Sequence, residues 1–136
     1  MTSNDSLFLD ANVLFAAAYK ENAGLVALWT VPEARLCSSG YAIEEARRNL
    51  GSPERWARLE RLLGGVAVIN GTAPLPGGID LEVKDRPILG AAIYARATHL
   101  LTLDRDFAKL FGQRVSGVLI LHLRDYLRLR RPPKSS

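Results

Sequence analysis

With 136 residues, 48% hydrophobic and 24% charged, the chain has the composition of one globular domain, which excludes collagen-like, disordered and disulfide-scaffold classes. A single cysteine, Cys37, cannot form an internal disulfide and argues against a cysteine-rich zinc site, so a reducing cytoplasm is the expected setting. The formal charge is a modest +4, but 14 of the 18 cations are arginine, whose planar fork holds phosphate bidentately.

Ser6–Leu9 is a short apolar run of strand type closed by Asp10, and Val13–Tyr19 follows as a helix rich in Ala. No apolar run approaches the roughly 20 residues of a membrane helix, and Asp5 and Asp10 flank the first apolar stretch, so neither a signal peptide nor an anchor is expected. A second short helix is expected around Ala23–Thr30, broken by Val31-Pro32, and Arg35–Ser38 offers another strand. Tyr41–Leu50 reads as a helix ended by Gly51. Ser52-Pro53-Glu54 then restarts a helix with a capping hydroxyl, a proline in the first turn and an acid facing the helix dipole. Trp56, Leu59, Leu62 and Leu63 share a face of it, Gly64-Gly65 stops it, and Val66–Ile69 is β-branched enough for a strand.

Asn70–Gly78, with two prolines and three glycines, is a loop. Asp85-Arg86-Pro87 opens a helix whose apolar spacing runs to Ala97, and His99–Leu103 is a strand closed by Asp104. A helical turn at Phe107–Phe111, a strand at Val118–Leu121 and a helix through Tyr126 complete a single domain over residues 1–131, with a flexible tail expected over 132–136. Strands alternating with helices predict an α/β fold, a three-layer α/β/α sandwich around a central parallel sheet. Such sheets carry their functional groups beyond the carboxyl ends of the strands, where Asp10 and Asp104 stand.

On neighbouring strands about 4.8 Å apart, these carboxylates would repel unless protons or a cation neutralised them, with Asp85 looking toward the same edge. A hard divalent ion, Mg²⁺ or Mn²⁺, suits an all-oxygen set and leaves positions for water and phosphate. Taken singly, each acid has a plainer use. Asp10 and Asp85 suit helix N-caps, Asp104 and Asp106 suit turns, and Glu44 and Glu45 suit a solvated helix face.

As a set, these segments resemble the PIN-domain family of metal-dependent ribonucleases over nearly the whole chain. Leu7-Phe8-Leu9-Asp10-Ala11-Asn12-Val13-Leu14 is similar to the family's opening strand with its first acid. Tyr41–Leu50 resembles the helix that supplies a glutamate, Asp85–Ile93 an acid opening an Ala-rich helix, and Thr102-Leu103-Asp104-Arg105-Asp106-Phe107 the closing signature. The resemblance implies a Rossmann-like sheet and an endoribonuclease in which Asp10, Glu45, Asp85 and Asp104 hold one or two Mg²⁺ or Mn²⁺ ions, with Asp106 assisting. A metal-activated water would then attack the RNA phosphodiester, and Asn12 and Thr102 would orient carboxylates. Glu44 competes with Glu45 for one role. The interval to Leu50 favours Glu45, and helical geometry turns the two about 100° apart.

Without the five acids, nine remain against 18 cations, an acidic well in a basic surface that suits a polyanion. Arg47, Arg48, Arg86 and Arg105 are candidate RNA contacts. The wider cluster with Arg55, Arg58 and Arg61 fits an RNA guide, a solvated helix face or a docking surface for an acidic peptide. His99 and His122 lack metal spacing, Trp29 and Trp56 suit core or interface, and Cys37 suits the core. A phosphotransfer or receiver domain also places an Asp beyond a parallel strand. Asn12, however, stands where a dehalogenase-type second acid is wanted, and none of the four lysines follows a late strand as that chemistry asks. The short single-domain form resembles the toxin half of a VapC-type toxin–antitoxin pair, which implies an antitoxin partner and a homodimer. A stand-alone RNA-processing nuclease and a non-cleaving RNA- or protein-binding module of the same fold remain the alternatives.

Overall fold

A computed structural model of the chain describes residues 4–21 and 23–130, so the tail expected over 132–136 lies outside the described residues. The strands are β1 (Ser6–Leu9), β2 (Arg35–Ser39), β3 (Val66–Ile69), β4 (His99–Thr102), β5 (Arg114–Val115) and β6 (Val118–His122). The helices are α1 (Ala11–Tyr19), α2 (Gly40–Leu50), α3 (Pro53–Leu63), α4 (Arg86–Tyr94) and α5 (Leu123–Arg130), with 3₁₀ turns at Gly24–Thr30, Val83–Asp85 and Arg105–Leu110. One sheet of order β3-β2-β1-β4-β6-β5 runs through the centre, and every pairing is parallel except β5 against β6.

The alternation of side chains along each strand builds the two outer layers. Leu7, Leu9, Leu36 and Leu101 join residues of α1, α2, α3 and α5 in one buried cluster. Phe8, Cys37, Leu100 and Ile120 turn to the other face and pack with Ile88, Leu89 and Ala92 of α4 and with Phe107. Each such side chain contributes roughly 1.5–3 kcal/mol by leaving water. Cys37 is a core residue, as expected from the sequence.

Local signals set most boundaries. Ser52 Oγ accepts from the Arg55 N–H at the start of α3, which has proline in its first turn, and Gly51 takes the left-handed φ of 67° that ends α2. Trp56 sits at the rim of its helix face, 42% exposed, with its indole N–H on the Arg47 carbonyl, whereas Leu59 is buried. Two expectations need correction. Helix α4 ends at Tyr94 rather than Ala97, because Arg96 takes a left-handed φ of 56° that breaks the helix. The sheet is not wholly parallel: Arg114–Val115 turns back through Ser116-Gly117 and adds an antiparallel edge strand beside β6.

Loop 70–78 is fixed against α4. The Ala73 N–H donates to the Gly90 carbonyl at 3.0 Å, and a Cβ on Gly90 would collide with Thr72 Oγ1. Glycine at 90 therefore lets the loop lie directly on the helix that begins at the acid cluster.

Candidate metal centre

The carboxyl edge of the sheet gathers its acids by three separate routes. Asp10 leaves β1, and its backbone N–H bonds the Leu101 carbonyl of β4 at 3.1 Å, tying the two strand ends together. Its Oδ1 accepts from the Ala11 N–H at 2.7 Å, so Asp10 does cap α1. Its Oδ2 accepts from the Thr102 hydroxyl at 2.8 Å and more weakly from Asn12 Nδ2 at 3.4 Å. The Leu103 N–H donates to Asn12 Oδ1 and the Asp104 N–H donates to Thr102 Oγ1, both at 3.0 Å. Asn12 and Thr102 thus fix Asp10 and the start of the Asp104 loop as one unit.

Asp104 accepts the Asp106 N–H on Oδ1 at 2.9 Å, which turns the chain into its 3₁₀ segment and brings Asp106 to the same side. Asp85 comes from the opposite layer, at the N-terminus of α4. It occupies the N-cap position but makes no capping bond, and it is only 6% exposed. Asp85 Oδ2 is the one buried side-chain polar atom without a hydrogen-bond partner among the described residues. An ionised oxygen in that condition costs several kcal/mol unless something else compensates it.

Asp85, Asp104 and Asp106 each present a carboxylate oxygen within 4.8 Å of the other two, an arrangement that could hold a metal ion. Burial raises the Asp85 carboxyl to about 6, and the neighbouring Asp104 charge pushes the same way; Lys84 opposes it, while Asp10 and Asp106 add to the rise. Asp10 is likewise raised to about 6 by burial. Its bonds from Thr102 and Ala11 pull it down, and the charges of Asp104 and Glu45 push it up. Asp10 stands outside the close trio yet senses the same field.

The two adjacent glutamates separate as helical geometry requires. Glu44 pairs with Arg47 at 3.3 Å, and Arg47 also reaches Glu60 of α3 at 2.7 Å. Glu45 instead lines a cleft of about 230 Å³ with Ala11, Asn12, Phe15, Ala46 and Asn49, beside Asp10. Of the candidate RNA contacts, Arg86 donates to the Ile79 carbonyl and Arg47 is engaged by the glutamates, whereas Arg48 and Arg105 are exposed. Arg55 and Arg58 bind the Ala18 and Tyr19 carbonyls at the end of α1, with Arg55 also stacked on the Tyr19 ring at 3.8 Å. This pair fastens α3 to α1.

Sequence reasoning missed Lys84. Its ammonium lies 3.1 Å from Asp106 Oδ2 and 4.0 Å from Asp104 Oδ2. A lysine beside a candidate ligand acid was the available signal. His122, in register with Thr102, accepts the Arg124 N–H on Nδ1 and meets Phe111 edge-on, the structural use expected of it.

Comparison with solved structures finds the same architecture. The chain aligns with one in the crystal structure of VapBC2 from Rickettsia felis bound to a DNA fragment from their promoter, with a TM-score of 0.63. The two share a fold. At 13% identity, over 86% of this chain and 98% of the other, the likeness is one of architecture: a PIN-like sheet flanked by helices. No protein-family model matches the sequence, and a search of curated proteins finds no significant relative. No helix among the described residues is long and apolar enough to cross a membrane.

Proposed function

We propose that this chain is a metal-dependent endoribonuclease of the PIN type, and that it is the toxin of a toxin–antitoxin pair. The observation that carries the nuclease reading is the unpartnered, buried Oδ2 of Asp85 set among Asp104 and Asp106. Three crowded carboxylates with one oxygen orphaned are unfavourable in themselves and become favourable around a hard cation. The donor set is all oxygen, which fits Mg²⁺ or Mn²⁺ and does not suit softer metals. The toxin reading rests on the VapBC2 fold neighbour. It brings with it an antitoxin protein as partner, and a homodimer.

In this reading Asp85, Asp104 and Asp106 hold the ion, with Asp10 and Glu45 completing the set directly or through water. When bound, a divalent ion supplies a Lewis acid and a water of lowered pKa for attack on phosphorus. Asn12 and Thr102 hold the Asp10 carboxylate in one orientation by their hydrogen bonds. Exposed Arg48 and Arg105 would meet RNA phosphates, and the chemistry requires no side-chain nucleophile.

The test is cleavage of a labelled structured RNA by purified protein with Mn²⁺ and with EDTA. Cleavage is expected only with the metal. Glu45→Gln should lower it by about 10²-fold or more, as loss of a group stabilising the transition state does, while Glu44→Gln stays within a few-fold of wild type. Binding of the RNA without any cleavage would favour the non-catalytic module, and an equal loss in both glutamine variants would contradict the division of roles.

A further inference from the structure

We propose that Lys84 is a tethered counter-cation over the acid cluster, one that an incoming divalent ion displaces, so that this residue sets how tightly the ion is held. The inference rests on the metal-centre reading above. Its own basis is where the lysine is rooted and which acids it reaches.

The base of the side chain is fixed on both sides. The Lys84 carbonyl accepts the Tyr41 hydroxyl at 3.1 Å, and the 3₁₀ turn is closed by the N–H groups of Asp85 and Arg86 on the Glu82 carbonyl at 3.0 and 3.2 Å. From that root the ammonium spans the two outer acids, Asp106 at 3.1 Å and Asp104 at 4.0 Å. It leaves Asp85 Oδ2 without a partner. The lysine therefore covers the cluster without filling it.

A divalent ion and this ammonium seek the same carboxylate oxygens, and two cations sharing them repel. The lysine must swing outward for the ion to gain Asp104 and Asp106. Its side chain is 62% exposed, so the ion pairs are weak enough to break, and four flexible methylenes give the head room to move into water. Removing the charge should tighten metal binding, and keeping the charge on a different side chain should preserve the wild-type affinity.

The experiment is calorimetric titration of Mn²⁺ into the whole chain as wild type, Lys84→Met, Lys84→Arg and Asp85→Asn. Lys84→Met is expected to bind Mn²⁺ about five- to tenfold more tightly, and Lys84→Arg within about twofold of wild type. In metal-free buffer Lys84→Met should melt below wild type because the acids lose their counter-charge, and adding Asp106→Asn should restore the loss. Damage to the fold would weaken Mn²⁺ binding, so tighter binding cannot arise from that cause. Lys84→Met binding Mn²⁺ no better than wild type, while Asp85→Asn binds it poorly, overturns the role of Lys84 and leaves the metal centre standing. Wild type that binds no Mn²⁺ overturns both.

Discussion

Replacing Asp85 by asparagine is expected to abolish metal-dependent RNA cleavage and at the same time to raise the melting temperature of the metal-free protein. The two effects have one cause. Asp85 Oδ2 is buried with no hydrogen-bond partner, and the carboxyl is pushed to about 6 by burial and by the Asp104 charge. Asparagine keeps the shape, removes the charge and offers N–H groups to the surrounding carboxylates. The gain should be on the order of 1–2 kcal/mol, somewhat less than the roughly 3 kcal/mol that a two-unit shift represents, because Lys84 loses one of its attractions. Cleavage should fall by about 10²–10³-fold or more, since a neutral amide is a poor ligand for a hard cation. Stability that rises while activity disappears is the pattern of a site built for function against the interest of the fold. Wild-type cleavage by Asp85→Asn would remove this residue from the chemistry, and a lower melting temperature would show that its charge is compensated in some other way.

The second large effect is a pH dependence of stability that runs opposite to the usual behaviour of carboxylates. Asp10 and Asp85 both lie near 6 in the folded protein, above the ordinary 3.8. The folded state therefore holds their protons more tightly than the unfolded chain does, so their contribution to stability is fully present in acid and is lost as pH rises through about 6. His99 acts against this trend, because burial lowers its pKa and its protonation costs stability as pH falls. The part due to Asp85 is isolated by comparing wild type with Asp85→Asn, since Asp10 and His99 are common to both. Between pH 5 and pH 7.5 the metal-free wild type should lose about 1–1.5 kcal/mol relative to the variant, roughly 3–6 °C in melting temperature for a domain of this size, because the rest of the contribution is lost only below pH 5. Saturating Mn²⁺ at pH 7.5 should return that stability to wild type and add little to the variant. Parallel melting curves for the two proteins across the window would mean that Asp85 does not titrate as the geometry requires.

What the sequence made legible follows from how local each signal is. Asp10 and Asp104 could be placed at one sheet edge because each directly ends a short apolar run, and β1 and β4 do lie side by side. The interval to Leu50 favours Glu45 over Glu44; in the fold Glu44 pairs with Arg47 and Glu45 lines the cleft beside Asp10, outside the close trio of Asp85, Asp104 and Asp106. In the sequence, helix N-capping and metal ligation are alternatives for Asp10 and Asp85. In the fold Asp10 caps α1 with one oxygen and turns the other toward Thr102, whereas Asp85 caps nothing. The illegible parts depend on distant pairings. Arg55 and Arg58 look like a solvated or RNA-binding face until α1 ends beneath them with its carbonyls exposed. The β5 edge strand is too short to carry a pattern of its own, and Lys84 acquires its meaning only once Tyr41 and Glu82 fix the turn that carries it.

The most direct test of the account is a crystal structure of the protein soaked in Mn²⁺, with the ion located by its anomalous scattering. The expected result is a peak bound by oxygens of Asp85 and Asp104 at about 2.1–2.2 Å, with Asp106, Asp10 or Glu45 in the same coordination sphere and Lys84 turned outward. Occupied Mn²⁺ sites elsewhere, with Asp85 Oδ2 still unpartnered and Lys84 still on Asp106, would contradict it.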